Sequence, residues 1–595
     1  MPSRPPVSRV LAVLASFLAF MSLARAEIVV RWNQAGYPPD RSKVLLVMSD
    51  RDLAEQSWEV RRDSAVILSG RFGASVTGPG VHTPLPFNHG VDASRLREPG
   101  DYTFLTHGAE PAVLRIHPRP YARFIDQALQ HLRMVRSGPD VSAPRRPSHP
   151  GDRRAPVWVP DGDPANGKWK AAEPARTVNV EGGWYDAGDQ LKFTLNEAYT
   201  AYVLLLAHRW NPGLFTGAAR ADGALPPLLV EARHGLRFLA RVFPDDDTFV
   251  IQVGDERDHD QPFRLPEDDR LDGRRPALAA LSRVHLASAS AALAAGAATF
   301  RALGSDHGAE AGAWADLARR MYARAQKPDT LVTAFERGGV NDFYRDTTDV
   351  DQLALAAAEL FNLTGDRSYL DDARRHAPPP AREVSWSSWH AHANAALAPH
   401  DTAALRRLEE EASHYAAHAA KEGRPWGIPS RLVWGSLHRW IGAAHAAHRA
   451  DLLRSESENE GERARKRSAQ LHAHFPFHSA MVDYTFGRNA WGVSFLFSEE
   501  LPNTVRHLYS PMYHLLKKFP TGALSEGPGN TETHQRLQKY FDDARAAHKL
   551  PWRPELARFN TRAAVFSDDA ADFMTQEATI GGQADLILLL ALAEL

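Results

Sequence analysis

The chain contains no cysteine among its 595 residues. Disulfide bonds, thiolate nucleophiles, thiolate metal sites and lipid anchors on cysteine are therefore excluded. An excess of charge of one sign is also missing, because 70 Lys and Arg residues stand against 72 Asp and Glu residues and the net charge is −2. A chain balanced in this way offers no basic face for nucleic acid or for an anionic membrane, so we expect neither as a partner.

Long apolar runs are lacking except at the N-terminus. There, Arg4 and Arg9 accompany the apolar run VLAVLASFLAFMSL, and the sequence Ala-Arg-Ala follows at residues 24–26. The run is too short to span a bilayer comfortably, and the A-x-A ending is typical of a signal-peptide cleavage site. We predict a signal peptide over residues 1–26, a mature chain that starts at Glu27, and a periplasmic or secreted protein. The alternative is an uncleaved membrane anchor.

Residues 27–117 have the pattern of a small all-β module. Short runs rich in β-branched and aromatic residues are separated by Gly, Pro and Asp at intervals of roughly 8–12 residues, which predicts a β-sandwich. The runs are EIVVRWN, KVLLVMS, SWEVRR, AVILSG and DYTFLT.

Residues 118–595 have a helical pattern with almost no strand signal. Apolar residues recur at helical spacing in LPPLLVEARHGLRFLARVF, near 225–243. Similar runs lie near 121–136, 193–209, 280–303, 310–325, 349–363, 385–397, 402–421, 429–452, 468–486 and 577–594, with a further one near 532–548. About twelve helices predict a mainly α catalytic domain built as an (α/α)6 toroid of six helical hairpins. The alternative, an α-solenoid, is disfavoured because no repeat of fixed period is present.

A pair of carboxylates stands out in the stretch EGGWYDAGDQLKF, residues 181–193, where Asp186 and Asp189 lie three residues apart. Cleavage of a glycosidic bond needs two carboxyl groups, one to protonate the leaving oxygen and one to activate water or to attack the sugar. A DxxD pair by itself also occurs in ordinary acidic turns. Its neighbours strengthen the catalytic interpretation, since Trp184 and Tyr185 offer faces for a sugar ring and Lys192 could hold a nearby acid ionised.

A second acidic cluster lies at the C-terminus, in FSDDAADFMTQEATIGGQADLILLLALAEL. Asp568, Asp569 and Asp572 precede Glu577, which stands just before an apolar helix. Acidic residues also favour the N-terminal end of any helix dipole, so this cluster taken alone has a purely structural explanation as well.

Together these stretches resemble glycoside hydrolase family 9, the inverting cellulase-type enzymes. GGWYDAGDQLKF resembles the DAGD signature, and the C-terminal stretch resembles the closing motif in which an aspartate precedes the catalytic glutamate by nine residues, here Asp568 and Glu577. Residues 28–47 resemble the start of the immunoglobulin-like domain that precedes many of these catalytic domains. Further segments similar to the family follow in its order: VGDERDH, TTDVDQLALAAAELFNLTGDRSYL, YTFGRNAWGVSFL and GALSEGP.

The resemblance implies a role for each matching carboxyl group. Asp189 would be the general base that activates water, Asp186 would help to bind and orient that water, and Glu577 would be the general acid. We expect partial burial and the nearby Asp568 and Asp569 to raise the pKa of Glu577. An inverting mechanism also predicts that the carboxyl groups of Asp189 and Glu577 lie about 6.5–9.5 Å apart.

The sugar-binding positions depart from the family pattern. The usual His-His-Arg run is replaced by NTVRHLYSPMY, where Arg506 and His507 could take over its contacts with substrate. His259 is retained without the usual nearby tryptophan, and Trp386 matches a family position that would serve as a sugar platform. A surface ion pair for His259 and a place in a helix core for Trp386 are the alternatives. Fewer aromatic platforms predict a shorter binding site, an exo-acting enzyme or a sugar other than plain cellulose.

The leading prediction is therefore an exported, inverting glycoside hydrolase that cleaves β-1,4-glucosidic bonds. An exo-acting β-glucosidase or exo-β-glucosaminidase of the same family, a non-catalytic carbohydrate-binding protein and a polysaccharide lyase are the alternatives. We expect a monomer whose partner is a β-linked polysaccharide or oligosaccharide. Only 18 residues follow Glu577, which predicts action on soluble or amorphous chains rather than on crystalline cellulose.

No cofactor is predicted to be required. The 27 histidines are clustered, but their spacings match no specific ligand motif, so no histidine metal site is predicted. The family resemblance allows a structural calcium ion, which no motif in the sequence places.

Overall fold

The computed structural model describes residues 27–595 apart from 77–82, 163–166, 217–224, 270–274, 331–343, 345, 347, 430 and 458–476. The predicted signal peptide over 1–26 lies outside the described residues and stays a prediction. Within the described part of the chain, no helix has both the length and the apolar character needed to cross a membrane.

Two antiparallel sheets form the N-terminal β-sandwich. One has the strand order Ile28–Arg31, Val44–Ser49, Phe87–Asp92, and the other has the order Ala65–Arg71, Ser57–Arg62, Gly100–Thr106, Ala112–Ile116. Side chains that alternate along the strands meet between the sheets and form a core of their own. That core includes Leu45, Val47, Val60, Phe104 and Leu114.

All five predicted β-runs form strands, so the sandwich prediction is confirmed. The strands Phe87–Asp92 and Ala112–Ile116 were not predicted. The first contains Asn, His and Gly, which are poor strand formers, and therefore carries little local signal.

Within the described residues, twelve helices form two concentric rings around one axis. Each helix of the inner ring packs on the next, and the last packs on the first. The inner helices are Thr194–Trp210, Arg283–Ala302, Val350–Thr364, His390–Leu397, Ser436–Ser457 and Ile580–Ala593. The outer helices are Ala122–Met134, Pro227–Leu239, Gly308–Ala325, Arg367–Arg375, Thr402–Lys421 and Phe477–Thr485. The closed ring confirms the (α/α)6 toroid and excludes an open solenoid.

The inner helices are apolar on nearly every side because other helices surround them. In the closing helix, Ile580–Ala593, every residue from Ile580 to Leu592 is buried. This helix packs against Thr194–Trp210, almost four hundred residues earlier in the chain. Closure of the ring therefore brings the stretch at 181–193 to the C-terminal end of the protein.

A sheet within the toroidal part of the chain contradicts the prediction of almost no strands after residue 118. Its path runs Thr177–Val178, Ala155–Pro160, Ala277–Ala279, Val250–Val253, Lys192–Phe193, with Trp169–Ala171 beside Ala155–Pro160. Strands of two to six residues are too short to show a clear alternation in sequence. The sheet anchors both ends of the segment that contains the paired aspartates.

The remaining elements are short or lie at the rim of the toroid. The helices are Pro212–Thr216, Glu256–Asp260, Pro511–Leu516, Thr531–His548 and Phe573–Gln576. Two small strand pairs join Gly529–Asn530 to Ala564–Val565 and Trp552–Arg553 to Asp568–Asp569.

The β-sandwich contacts the toroid through polar side chains at the end of its first strand. The side chain of Gln34 donates to the carbonyl oxygen of Gly492 at 3.0 Å and accepts from the backbone N–H of Asn503 at 2.8 Å. Asn33 donates to Asp483 at 2.9 Å. These hydrogen bonds hold the turn that follows the GRN motif against the sandwich.

Candidate active site

The paired aspartates lie on a loop tied to the end of the chain. The backbone N–H of Asp186 donates to the carbonyl oxygen of Leu191 at 3.0 Å, which closes the loop. The carbonyl oxygen of Asp186 accepts from the N–H of Ile580 at 3.0 Å. Because Ile580 begins the closing helix, the loop position depends directly on the C-terminal segment.

The loop touches Glu577 through the glycine of its DAGD sequence. The backbone N–H of Gly188 donates to Oε1 of Glu577 at 2.8 Å. A Cβ atom at position 188 would lie 2.7 Å from the ring of Tyr509 and 2.8 Å from the Glu577 carboxyl group. Only glycine allows this close approach, so the fold brings together the two acidic motifs that the sequence paired. The separation of about 6.5–9.5 Å between the carboxyl groups of Asp189 and Glu577 stays a prediction.

The Glu577 carboxyl group is in an environment that favours its protonated form. Burial raises its pKa well above the ordinary value for glutamate, and the negative charge of Asp189 raises it further. The hydrogen bond from Gly188 opposes this shift but does not outweigh it. A carboxyl group that keeps its proton near neutral pH can act as a general acid.

Asp568 and Asp569 are not among the main causes of that raised pKa, contrary to expectation. The largest charge contributions come from Asp189, Glu526 and Asp186. Asp568 lies 3.1 Å from Arg553, and Asp569 accepts from Arg545, so each is neutralised by its own arginine. Proximity in sequence is therefore a poor guide to electrostatic coupling here.

Asp186 is a buried carboxyl group with a partner on each oxygen. The Asn196 side chain donates to Oδ1, and the Tyr344 hydroxyl donates to Oδ2. Burial raises the pKa of Asp186 to about 7, and the charge of Asp189 adds to the rise, while the two hydrogen bonds oppose it. Asp186 is thus held in place on both oxygens, whereas the Asp189 carboxyl group is more accessible to solvent. Its predicted role in orienting water stays a prediction.

Replacement of Tyr344 by phenylalanine tests the importance of the Asp186 clamp. We expect kcat/KM on a β-glucan oligomer to fall roughly ten- to a hundredfold, the effect of one lost hydrogen bond to a charged group. Since the Tyr344 hydroxyl lowers the pKa of Asp186, the acidic limb of the pH–rate profile should also move to higher pH. Tyr322→Phe is the matched control, because its hydroxyl donates to the remote Asp372 at 3.2 Å. Wild-type kinetics in Tyr344→Phe would contradict the clamp.

Asp189 is held in a defined orientation but is not sealed from solvent. Its Oδ1 accepts from the N–H of Leu191 at 2.9 Å, and Nδ1 of His259 lies 2.8 Å from its Oδ2. The His259 side chain is 46% exposed and the Asp189 side chain 14% exposed. The hydrogen bond to Asp189 raises the pKa of His259, so the imidazolium form is favoured. This arrangement suits a base that must reach a water molecule.

The prediction that Trp184 and Tyr185 provide sugar-binding faces is wrong. Trp184 is fully buried, and Tyr185 is 2% exposed. The hydroxyl of Tyr185 lies 2.7 Å from Nδ1 of His149 and 2.8 Å from Oγ of Ser148. Both rings therefore support the loop from beneath and present no face to a sugar.

Lys192 also has a partner other than the expected one. Its ammonium group donates to Asp152 at 2.8 Å and to the carbonyl oxygens of Val180 and Gly182 at 2.7 and 3.0 Å. The lysine therefore fixes the backbone ahead of the DAGD loop through a buried ion pair. It does not pair with Asp186 or Asp189.

Arg506 and His507 lie on a strand-like segment organised by Asp568. The backbone N–H groups of both residues donate to the Asp568 carboxylate, at 3.0 and 2.8 Å. Arg506 is exposed and His507 is half-buried. Three residues later, Tyr509 pairs with Glu577 along the backbone, so the segment is close to the proposed acid. A direct contact of either side chain with sugar stays a prediction.

Trp386 contributes to an aromatic group on the Asp186 side of the site. Its half-buried ring meets the ring of Tyr344 edge-on, with the centroids 4.6 Å apart. Because Tyr344 donates to Asp186, Trp386 lies two contacts away from that carboxyl group. The structure places it close to the site, as the family resemblance implies.

Several residues of the site were missed in the sequence. Asn196 and Tyr344, which hold Asp186, belong to no motif that we considered. Tyr509, which approaches Gly188, lies in the stretch NTVRHLYSPMY, in which only Arg506 and His507 were given a role. The signal that could have found Asn196 is a polar residue in the first turn of an otherwise apolar helix, where an inward-facing polar side chain needs a partner. Tyr344 and Tyr509 have no comparable local signal.

Glu526 is a further buried carboxyl group beside the site, and its charge raises the pKa of Glu577 and of Asp186. It is 7% exposed. Burial raises its own pKa, against the opposing effects of His438, Arg439 and the Thr579 hydroxyl. Below the ordinary glutamate pKa both folded and unfolded chains hold this proton. As the pH rises from this ordinary pKa to the raised pKa, the unfolded chain releases the proton first, so the folded state loses stability relative to the unfolded state.

Replacement of Glu526 by glutamine removes this pH dependence. We expect the Tm of Glu526→Gln, measured relative to the Tm of wild type, to increase by about 1–3 °C between pH 5 and pH 8. Thermal unfolding followed by fluorescence at several pH values measures it. The exposed Glu532 provides the control Glu532→Gln, for which we expect a constant difference. A constant difference for Glu526→Gln would contradict the burial argument.

Two groups of His and Asp side chains in the described residues are close enough together to hold a metal ion. In one, Asp585 accepts from Tyr199 and His445 at 2.9 Å, while Arg449 lies 3.3 Å from His392. In the other, made of His149, Asp258 and Asp269, Arg264 donates to both aspartates. An arginine already supplies the positive charge in each group, which disfavours a cation there.

Two family models match this chain. The family model described as glycosyl hydrolase family 9 matches residues 121–590, and the one described as the cellulase N-terminal ig-like domain matches residues 25–111. Among curated relatives, Endoglucanase C of Cellulomonas fimi is 26% identical over 84% of this chain and 47% of its own length. Endoglucanase 20 of Oryza sativa subsp. japonica is 27% identical over 60% of this chain and 69% of its own. The chain thus spans about half the length of Endoglucanase C.

Solved structures show the same fold. A thermostable endoglucanase from Alicyclobacillus acidocaldarius matches with a TM-score of 0.71 and 22% identity, over 95% of this chain and 99% of that one. Such a match over nearly the whole of both chains establishes the arrangement of a β-sandwich followed by a helical toroid.

Proposed function

The chain belongs to glycosyl hydrolase family 9, and we propose that it is an exported, inverting hydrolase of β-1,4-glucosidic bonds. The observation that carries this proposal is the 2.8 Å hydrogen bond from Gly188 to Glu577. It sets a carboxyl group that favours its protonated form one residue away from Asp189, an accessible carboxylate. Hydrolysis of a glycosidic bond with inversion requires an acid and a base in one site with room for a water molecule between them.

The two carboxyl groups divide the reaction between them. Glu577 donates its proton to the glycosidic oxygen as the bond to the anomeric carbon breaks. Asp189 accepts a proton from a water molecule that attacks the anomeric carbon from the opposite face, so the configuration inverts. After product release, Asp189 returns its proton to solvent and Glu577 regains one. Asp186, clamped by Asn196 and Tyr344, keeps the loop and the attacking water in position.

The substrate class rests on the relatives, which are named endoglucanases. A β-1,4-linked glucan is therefore the substrate that we propose, with cleavage within the chain. Among the described side chains, no observation favours glucosamine over glucose, so the exo-β-glucosaminidase and exo-β-glucosidase alternatives are outcomes of the test.

Product analysis tests the proposed reaction. The purified protein is incubated with β-glucans, cello-oligosaccharides and chitosan oligomers, and the first products are followed by NMR. We expect new reducing ends on the glucans, with the α-anomer appearing first because the β-linkage is inverted. A β-anomer would overturn inversion, and release of single sugars from the non-reducing end or cleavage of chitosan alone would favour the exo-acting alternatives. Unsaturated ends would identify a lyase, and binding without new ends would identify a carbohydrate-binding protein.

Export is the second part of the proposal and is supported by the N-terminal sequence alone. Expression in a bacterial host with an intact secretion system should release a protein whose first residue is Glu27. N-terminal sequencing of the periplasmic or secreted fraction measures this. A chain that keeps residues 1–26 in the membrane fraction would show that the apolar segment is an anchor.

A further inference from the structure

Three aromatic side chains form a continuous row on the surface next to Glu577. Phe573 lies in the middle, with the ring of Trp434 stacked on it at 5.1 Å and the ring of Tyr540 edge-on at 5.5 Å. We call these three residues the aromatic row. Trp434 is 43% exposed and Tyr540 55% exposed, although both are large apolar side chains. Adjacent exposed rings of this kind commonly mark a binding surface.

The aromatic row is continuous with the catalytic acid. Phe573 begins the short helix that ends at Gln576, directly before Glu577. Its ring also meets the ring of Tyr509 at 5.6 Å, and the backbone of Tyr509 pairs with Glu577. A ligand that reaches Glu577 therefore lies at one end of the row.

The row lies on the leaving-group side of the bond to be cleaved. The aromatic pair Tyr344 and Trp386 is connected to Asp186, on the side of the base and its helper. The aromatic row is instead connected to Glu577, which must face the leaving oxygen. Sugars beyond that oxygen would continue along Phe573 and Tyr540.

The helix Thr531–His548 fixes Tyr540 rigidly in this position. The next residue, Phe541, is 1% exposed and packs on Phe573 with ring centroids 5.1 Å apart. Phe541 belongs to a small apolar cluster with Leu550 and Met574 that anchors the helix to the segment before Glu577. Because Phe541 points inward, Tyr540 is left at the surface without an apolar cover. A ring held in this way binds with little loss of conformational entropy.

We infer that the aromatic row binds the sugar residues on the leaving-group side of the cleaved bond, with Tyr540 as its outer platform. The occupant is a β-1,4-linked glucan chain, whose pyranose rings present apolar C–H faces at regular spacing. This inference rests on the proposed function, because it assigns the substrate chain a direction across the same site.

Cleavage of cellopentaose labelled at its reducing end tests the inference. We expect Tyr540→Ala to lower kcat/KM about five- to tenfold, the effect expected for loss of one ring contact. The bond that is cleaved should also shift toward the reducing end, so that labelled glucose increases over labelled cellobiose and cellotriose. Hydrolysis of β-cellobiosyl fluoride, whose leaving group contains no sugar, should stay within about twofold of wild type, since it does not reach the row.

Two further variants separate binding from structure. Tyr540→Phe keeps the ring and should restore the wild-type cleavage pattern. Lys539→Ala changes an exposed neighbour on the same helix, whose partner is Asp543, and should leave the pattern unchanged. An unchanged pattern in Tyr540→Ala, in an enzyme that cleaves cellopentaose, would overturn the inference and leave the proposed function standing. Failure of the wild-type protein to cleave or bind any β-glucan would overturn both.

Discussion

Replacement of Glu577 by glutamine should lower kcat on cello-oligosaccharides by about 10²–10⁴-fold. Glutamine has the same shape and can still accept the hydrogen bond from Gly188, which is 2.8 Å away in the wild-type protein. It cannot donate a proton to the departing oxygen. The loss should therefore come from chemistry alone, and KM should change little because the fold around position 577 is preserved.

The leaving group identifies the missing step. Fluoride departs with little help from an acid, so Glu577→Gln should hydrolyse β-cellobiosyl fluoride far better, relative to wild type, than it hydrolyses cello-oligosaccharides. Initial rates on the two substrates measure the ratio. Equal losses on both would show that Glu577 is not the general acid, and wild-type activity on both would remove it from the mechanism.

The pH profile of the wild-type enzyme should report the same group. Burial and the charge of Asp189 raise the pKa of Glu577 well above that of an ordinary glutamate. Activity that requires the protonated acid is present below this raised pKa and is lost as the pH rises through it. The alkaline limb of kcat/KM should therefore be present for the wild-type enzyme on cello-oligosaccharides and be weak or absent on β-cellobiosyl fluoride, whose departure needs little help from the acid.

Replacement of Asp189 by asparagine should lower kcat on cello-oligosaccharides by a similar factor, about 10²–10⁴. Asparagine can still accept from the N–H of Leu191, a contact of 2.9 Å in the wild-type protein. It cannot take a proton from water. Since attack by water is needed whatever group departs, β-cellobiosyl fluoride should be affected as strongly as the oligosaccharides.

The contrast between the two variants assigns the roles. In Glu577→Gln the loss should depend on the leaving group, and in Asp189→Asn it should not. This pair of results is expected only if Glu577 is the acid and Asp189 the base. Asp316→Asn is a suitable control, because Asp316 is an exposed residue of the outer helix Gly308–Ala325 whose partner is Arg319. Retention of full activity in Asp189→Asn would reject the assignment, and a reversed pattern would exchange the two roles.

His259 and Asp189 form a unit whose geometry the sequence alone did not predict. The resemblance placed His259 among the substrate-binding residues, and the structure places its Nδ1 atom 2.8 Å from the base. The hydrogen bond to that carboxylate raises the pKa of His259. A contact of His259 with substrate stays a prediction, while its contact with Asp189 is a feature of the folded chain.

The sequence predicted those features that depend on local patterns. Helical spacing of apolar residues identified eleven of the twelve ring helices, because a helix packed against a neighbour must repeat its buried face every three to four residues. The short, polar outer helix Arg367–Arg375 was not predicted. Runs of β-branched and aromatic residues identified five strands of the sandwich for the similar reason that a strand buries alternate side chains. The resemblance of the DAGD stretch and of the closing motif predicted catalytic roles for Asp186, Asp189 and Glu577, and the fold brings these two segments into contact.

Only the tertiary structure decided which side chains face the site and what controls their charge. Tyr185 lies beside Asp186 in sequence and yet is buried against His149, while Tyr344, 158 residues away, donates to Asp186. Among charged groups, the pKa of Glu577 responds mainly to Asp189 across the closed ring, and less to its neighbours in sequence, which arginines neutralise. Burial and electrostatic coupling depend on distance in space and on competing partners, and ring closure brings together segments almost four hundred residues apart. The sequence contains the residue types of this site, but the distances between these residues and their partners are set only when the toroid closes.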